Sequence, residues 1–408
     1  MKKYNLIVVG GGVAGVAAGV SAAREGLSVL LIEQFGSLGG AMSNSLVYPF
    51  MCHSIGGEKP TLLSDGIFTE MKKRQKETGD SSWETYKIVF DEMLTEAGAD
   101  ILFHSTVFGV NTDGRSIKSL KVATRSGEIE LAADLFIDAS GDGELIALSR
   151  CDHQVGRETD GFCQPMTTCF RVGGVDIKAF MQDVDMLQKK YKEYQQENKI
   201  SNPRENILYF YGPGEGIIHF NTTRVVKHDP TDPFATSRAE IIARKQVMEM
   251  LHFFKENSSA FEHSSLIAIA NHIGIRESRK LKGVHILTAD ELKSCYKFED
   301  SVALGNYDID IHNPTGAGTY IYSFKQGEFY SIPYRSLLPK EYDNMLVAGR
   351  CLSADHAAHS SVRIMPICAC LGEAAGVAAA LAHKNENNAH TIDIPTLQAL
   401  LREKGAKL

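Results

Sequence analysis

Apolar residues fall into two kinds of run along this chain of 408 residues. Leu6-Ile7-Val8-Val9, Val29-Leu30-Leu31-Ile32, Leu135-Phe136-Ile137 and Met345-Leu346-Val347 are unbroken, as strands buried on both faces of a parallel sheet are. Residues 101–110, 116–124 and 127–133 alternate instead, breaking at Asp113-Gly114 and Ser126-Gly127, which predicts a three-stranded meander joined by hairpin turns. Helical spacing predicts helices over 61–78 and 82–97, the second with Trp83, Val89, Met93 and Leu94 on one face. From about 151 to 335 the pattern changes. Strand-like stretches at 166–172, 207–211, 216–221 and 267–275 alternate with long polar helices over 178–196 and 237–256, and Gly212-Pro213-Gly214-Glu215-Gly216 reads as a hairpin turn. A long Ala/Gly-rich helix from Pro366 to His383 then restores the first pattern. The reading is α/β: a discontinuous doubly wound domain over 1–150 and 336–408, with an inserted α+β domain over 151–335.

The first strand meets Gly10-Gly11-Gly12-Val13-Ala14-Gly15, a helix follows, and the second strand ends in Glu33. Strand, Gly-x-Gly-x-x-Gly turn, helix, strand and acid in this order form the dinucleotide-binding fingerprint. Gly10 makes the tight turn, Gly12 lets a pyrophosphate approach the backbone, and Gly15 lets helix and strand pack closely. The helix N-terminus offers free N–H groups to phosphates. Glu33 follows the last glycine by 33 − 15 = 18 residues, where a carboxylate accepts ribose hydroxyls. Lys2-Lys3 followed by apolar residues also resembles a secretory start, but three glycines and Arg24-Glu25 interrupt it.

A net charge of −7 argues against a nucleic-acid partner and an anionic membrane surface. No apolar run approaches the ~20 residues of a membrane span. Eight scattered cysteines form no Cys-x-x-Cys motif, which predicts neither a metal site nor a redox dithiol and fits a cytoplasmic location. Cys368-x-Cys370 reads as two small buried residues.

Five segments carry a family resemblance: Val9 to Gly15 with Glu33; Gly39-Gly40; Ile137 to Gly143; Gly274-Ile275-Arg276-Glu277-Ser278-Arg279; and Val347 to Ser353 through Gly372 to Gly376. The chain resembles FAD-dependent oxidoreductases of the group related to glutathione reductase and fumarate reductase flavoproteins. The resemblance implies a Rossmann-like FAD-binding domain of the glutathione reductase type. One FAD would be held by Gly10, Gly12, Val13, Ala14, Gly15, Glu33, Gln34, Gly39, Gly40, Ala41, Val107, Ala139, Gly141, Asp142, Gly349 and Arg350. The inserted domain would hold the substrate. Non-covalent FAD is the default expectation, with His53 the alternative point of attachment.

Flavin chemistry pairs hydride transfer with a proton donor or acceptor and with groups that hold the substrate. Histidine titrates near neutrality, so His312, His356 and His359 are the candidate proton carriers; the last two, three apart, would share a helix face. Arg276 and Arg363 are the candidates for holding an anion or stabilising one. Gly316-Ala317-Gly318-Thr319 reads as a mobile loop. The expected function is an FAD-dependent oxidoreductase acting on a small organic substrate. A fumarate reductase-type ene-reductase and a non-catalytic flavin- or nucleotide-binding module are the alternatives. No metal is expected, and oligomeric state is left open.

Overall fold

The computed structural model describes residues 3–56 and 60–408, so Lys2 of the basic start lies outside the described residues. The unbroken apolar runs become the middle of a seven-stranded sheet. β1 (Tyr4–Val9), β2 (Val29–Ile32) and β3 (Asp100–Leu102) lie side by side in parallel, and helix α1 (Val13–Arg24) joins the first two. β4 (Thr106–Asp113), β5 (Ser116–Thr124) and β6 (Gly127–Asp138) form the meander.

Two details of this sheet differ from the sequence reading; elsewhere the helix expected over 61–78 spans Ile67–Glu77, and the strand expected over 267–275 ends at Ile269. Residues 101–110 are not one strand: His104 adopts φ +53°, and the chain breaks there into β3 and β4. The third meander strand and the apolar run 135–138, in contrast, are one strand, β6. Its first half pairs antiparallel with β5 from Gly127 to Ala132, and its second half pairs parallel with β1 from Ala133 to Asp138. The change from alternating to unbroken apolar residues along β6 marks where one exposed face gives way to burial on both.

A separate four-stranded antiparallel sheet holds β7 (Phe170–Gly173), β8 (Tyr209–Tyr211), β9 (Ile218–Phe220) and β10 (Ser265–Ile269) in the order β8-β9-β7-β10. The Gly212–Gly216 segment is the turn of its β8–β9 hairpin. Helices α2 (Ile177–Gln196) and α3 (Pro233–Asn257) pack on this sheet, each begun by an aspartate side chain, Asp176 and Asp232, that accepts a backbone N–H of its first turn. The apolar face of the sheet and helices forms its own cluster from Phe170 to Phe261. Leu281 to Leu338 are buried instead in the cluster of the first sheet. Between them, β11 (Ile309–His312) and β12 (Thr319–Tyr322) pair as a hairpin.

β13 (Met345–Val347) returns to the first sheet in parallel beside β6. Helices α4 (His356–Val362) and α5 (Met365–Lys384) follow. Helix α5 lies directly on α1: a Cβ at Gly372 would stand 2.1 Å from the Ala14 carbonyl oxygen, so only glycine allows this approach. Among the described residues α5 is long and apolar enough to cross a membrane, but 89% of that window is buried inside the protein. The Cys368 and Cys370 thiols lie within it, buried as expected.

Candidate functional site

The fingerprint turn takes the predicted form. Gly10 has φ +99°, and a Cβ at Gly15 would sit 1.9 Å from the Gly10 carbonyl oxygen. Gly12 is different: a Cβ there would meet nothing nearer than the Gly40 Cα at 3.9 Å. The room at Gly12 is used by nothing in the protein and opens into a cavity of about 720 Å³. Fifteen of the sixteen residues implied to hold FAD line this cavity; the exception, Gly15, is consumed by helix–strand packing. The wall thus fits a dinucleotide.

Glu33 lines the same wall, 5% exposed, with Oε2 accepting from the Gly11 N–H at 2.6 Å and Oε1 from the Phe35 N–H at 2.9 Å. Burial raises its pKa, and these backbone N–H groups oppose the rise. Asp142 and Arg350, read separately from sequence, form an ion pair at 2.8 Å. The helix-capping role open to Asp142 belongs to Asp138. That fully buried carboxylate accepts from the Ser140 N–H and hydroxyl and from the Ile146 N–H. Glu144, one turn on, also lines the cavity. Burial first, then Asp138, Asp142 and Glu33, push its carboxyl up to about 7. The first turn of α5 supplies Met365 and Cys368 to the same wall, next to Gly349.

The rest of the lining, the far wall, comes from segments next to the second sheet, the β11–β12 hairpin and the loop before α5, and it holds Arg276, His312 and Arg363. Arg276 donates to the Pro165 carbonyl at 2.7 Å and to the Thr167 hydroxyl. Burial, then Arg204, Arg363 and Arg224, bring its pKa down to about 9. Arg363 donates to Gln164 Oε1 at 3.3 Å and to the Asp310 carbonyl at 3.4 Å. His312 is 8% exposed, and burial and Arg276 drive its pKa down to about 3, so the ring is neutral. Arg224 Nη2 donates to its Nδ1 at 3.0 Å, which leaves the proton on Nε2, 3.3 Å from Asp310 Oδ2. Tyr307 donates its hydroxyl to the same carboxylate oxygen at 3.0 Å.

The other two candidate histidines stand behind the wall. His356 Nδ1 lies 2.8 Å from Glu277 Oε2, in a fully buried cluster in which Glu277 also pairs with Lys280. His359 is 0% exposed and donates from Nε2 to the Arg350 carbonyl at 2.8 Å, while burial drives its pKa well down. They share a helix as expected, but it faces Glu277 and the Arg350 backbone, not the cavity. His53 is also off the cavity wall; it bonds to the Met51 carbonyl and to Lys72, and its neighbour Cys52 takes the wall position. The Gly316–Thr319 segment is a hairpin turn rather than a free loop. Arg224 Nη1 holds it through the Gly316 and Gly318 carbonyls at 3.2 and 3.1 Å. Arg204, Arg224, Tyr307 and Glu144 were missed by sequence reasoning. Glu144 directly follows the Ile137–Gly143 segment and could have been read with it; the other three lie in stretches with no local spacing signal, and long-range packing brings them together.

Among the described residues no group of three or more His, Cys, Asp or Glu is arranged to hold a metal. Digeranylgeranylglycerophospholipid reductase 1 of Methanococcoides burtonii is 25% identical over 194 residues, 43% of this chain and 46% of that protein, so the match spans about half of that relative. A geranylgeranyl bacteriochlorophyll reductase-like structure from Thermoplasma acidophilum aligns over 99% of this chain and 84% of its own, at 14% identity and TM-score 0.48. p-Nitrophenol 4-monooxygenase from Pseudomonas putida aligns over 100% and 82%, at 10% identity and TM-score 0.43. The model of the family described as FAD dependent oxidoreductase matches residues 5–401. The chain therefore belongs to the FAD-dependent oxidoreductase family, as an enzyme whose cofactor is FAD.

Proposed function

We propose that this oxidoreductase acts on a small organic substrate held between the glycine wall, where FAD is bound, and the wall carrying Arg276, His312 and Arg363. The observation that carries this reading is the single cavity that both walls share. FAD, when bound, supplies the two-electron chemistry. The chain's own residues do the rest. Gly10, Gly12, Val13, Ala14, Gly39, Gly40 and Ala41 present backbone to the cofactor, and Gly15 keeps the turn in place. Glu33 and Gln34 meet the ribose; Val107, Ala139, Gly141 and Asp142 complete the near wall, with Gly349 and Arg350 at its far end.

Arg276 and Arg363 orient the substrate, and His312, bonded through Nε2 to Asp310, is the group that would handle its proton once the substrate displaces the Arg224 or Asp310 contact. His356 and His359 act as positioning residues, the first through Glu277 and the second through the Arg350 backbone. The substrate-facing unit is the part of 151–335 with apolar cores of its own, from Met166 to Ile275. A cytoplasmic location is consistent with eight unpaired thiols.

A fumarate reductase-type mechanism with Arg276 as proton donor is the second reading. It is favoured by the engagement of both His312 ring nitrogens and by an Arg276 pKa brought down to about 9. The test is anaerobic bleaching of the yellow protein by a panel of small organic compounds, repeated on His312→Gln and Arg276→Met. Loss of about 100-fold in bleaching rate with His312→Gln, at full flavin content, supports the first reading. A full rate in His312→Gln with loss in Arg276→Met overturns it for the second.

A further inference from the structure

Four guanidinium groups gather in one region: Arg204, Arg276 and Arg363 on the cavity lining and the buried Arg224 close to them. Arg224 is answered by Glu205, with Nη1 3.0 Å from Oε2. The other three line the cavity and have no carboxylate within ion-pair distance among the described residues. Arg276 is satisfied by neutral oxygens of Pro165, Thr167 and Asn221. Arg363 is satisfied by those of Ser360, Gln164 and Asp310, the last through its backbone carbonyl. Arg204 is not satisfied. It is 4% exposed, its Nε donates to Asn206 Oδ1 at 3.2 Å, and its Nη1 is buried with no partner at all. A buried guanidinium without its full set of acceptors is strongly unfavourable unless something outside the chain supplies them.

The carboxylates nearby do not supply that charge. Glu205 is taken by Arg224 and the Thr319 hydroxyl, and Asp310 by Tyr307 and His312. Asp308 also lines the cavity, half-buried, and forms no ion pair with Arg204, Arg276 or Arg363. His312 is neutral. The mutual repulsion of the guanidinia shows in Arg276 and Arg224, brought down to about 9 and about 10 by burial first and by their like-charged neighbours next. One carboxylate matches one guanidinium fork. Three unanswered forks, reaching the cavity from three separate segments, call for more than one acidic group.

We infer that the substrate is a small organic dianion, with acidic groups taken by Arg204, Arg276 and Arg363. This rests on the flavoenzyme reading above and goes beyond it by naming the substrate's charge and Arg204 as a recognition residue. The polar partners of the three arginines belong to Asn202–Asn221, to residues around Gln164 and Asp310 and, for Arg363, to Ser360 of the helix just before it, not to the glycine turns. That placement separates them from the phosphate-facing wall.

The experiment titrates the FAD-loaded protein with malonate, succinate, inorganic phosphate, acetate and neutral succinamide, reading the visible flavin spectrum and the melting temperature. A dicarboxylate or phosphate should bind at least about tenfold more tightly than acetate, the effect of roughly one added charge-assisted contact. Succinamide should not bind, and the tighter of dicarboxylate and phosphate identifies the acid. Arg204→Met should weaken the preferred dianion at least tenfold with flavin content unchanged. Equal affinity for acetate, succinamide and dianions overturns the inference, as does a dianion affinity untouched by Arg204→Met. Loss of FAD itself in Arg204→Met also overturns it, by assigning Arg204 to the cofactor's phosphates. If Arg204→Met does not fold, the dianion-to-acetate ratio of the unaltered protein decides alone. Failure to take up FAD would sink the flavoenzyme reading separately, because the rise in melting temperature with dianion is read equally well without flavin.

Discussion

The two walls of the cavity are built in opposite ways. The near wall offers backbone: Gly10, Gly12, Gly39 and Gly40 remove side chains, and on the proposed reading their peptide groups would hold the cofactor. The far wall offers long charged side chains, held in place by neutral carbonyls, amides and hydroxyls. Backbone recognition suits a cofactor that is always the same, because it tolerates no variation. Arginines on a scaffold of neutral acceptors suit a substrate, because one exchange alters selectivity and leaves the fold intact. Changes on the near wall should therefore cost cofactor and folding together, whereas changes on the far wall should cost turnover alone.

The largest effect should come from Gly15→Val. The new side chain would run into the Gly10 carbonyl oxygen, 1.9 Å from its Cβ. Overpacking against backbone should cost more than about 3 kcal/mol. The ratio of flavin to protein absorbance should collapse; a variant that kept its flavin would break the contrast between the walls. Arg276→Met comes next. It should keep its flavin and lose about 100-fold in substrate-dependent turnover, measured under steady state, with Arg276→Lys recovering part of the loss.

Glu33→Ala should weaken FAD retention by about 10- to 100-fold, the worth of one or two hydrogen bonds to a charged group, read by flavin release on dilution. Part of that loss comes from within, because Gly11 and Phe35 lose their acceptor.

The most gradual effect is a pair of opposed pH slopes, small for each pH unit. His312 has a folded pKa of about 3, below its ordinary 6.5. Between those values the unfolded chain binds more protons, so His312 favours folding less as the solution is acidified. Glu144 is raised to about 7 from 4.5. There the folded chain binds more protons, and stability is lost as pH rises from 4.5 to 7. Each slope is about 1.4 kcal/mol per pH unit at most. Denaturant melts should show His312→Gln gaining on the unaltered protein toward pH 3. Glu144→Gln should gain on it toward pH 7. Parallel curves for either variant would show that burial does not set that group's titration.

The near wall was legible in the sequence because its signal is local. Gly10, Gly12, Gly15 and Glu33 lie at fixed spacings on consecutive elements, and the structure brings them together as the spacing requires. The far wall was legible only in part. Arg276, His312 and Arg363 stood out as residue types, but Arg204 and Arg224 sit in polar stretches that read as solvated loop and strand. Only long-range packing brings Arg204 to the cavity and holds Arg224 behind it, against the turn of the β11–β12 hairpin. His356 and His359 show the opposite error. Spacing of three correctly placed them on one helix, but it carries no information about what that helix faces. The break at His104 was invisible because alternation continues across it.

The contact between α1 and α5 sets the order in which this enzyme can be made. Ala14 and Gly372, whose backbone and missing side chain meet at 2.1 Å, are 372 − 14 = 358 residues apart in the chain. The ribosome releases the fingerprint turn long before the helix that backs it exists. The backing of the fingerprint turn is therefore complete only once the residues of α5 are made. A chain stopped anywhere before α5 would carry every fingerprint glycine and still leave the turn without its support.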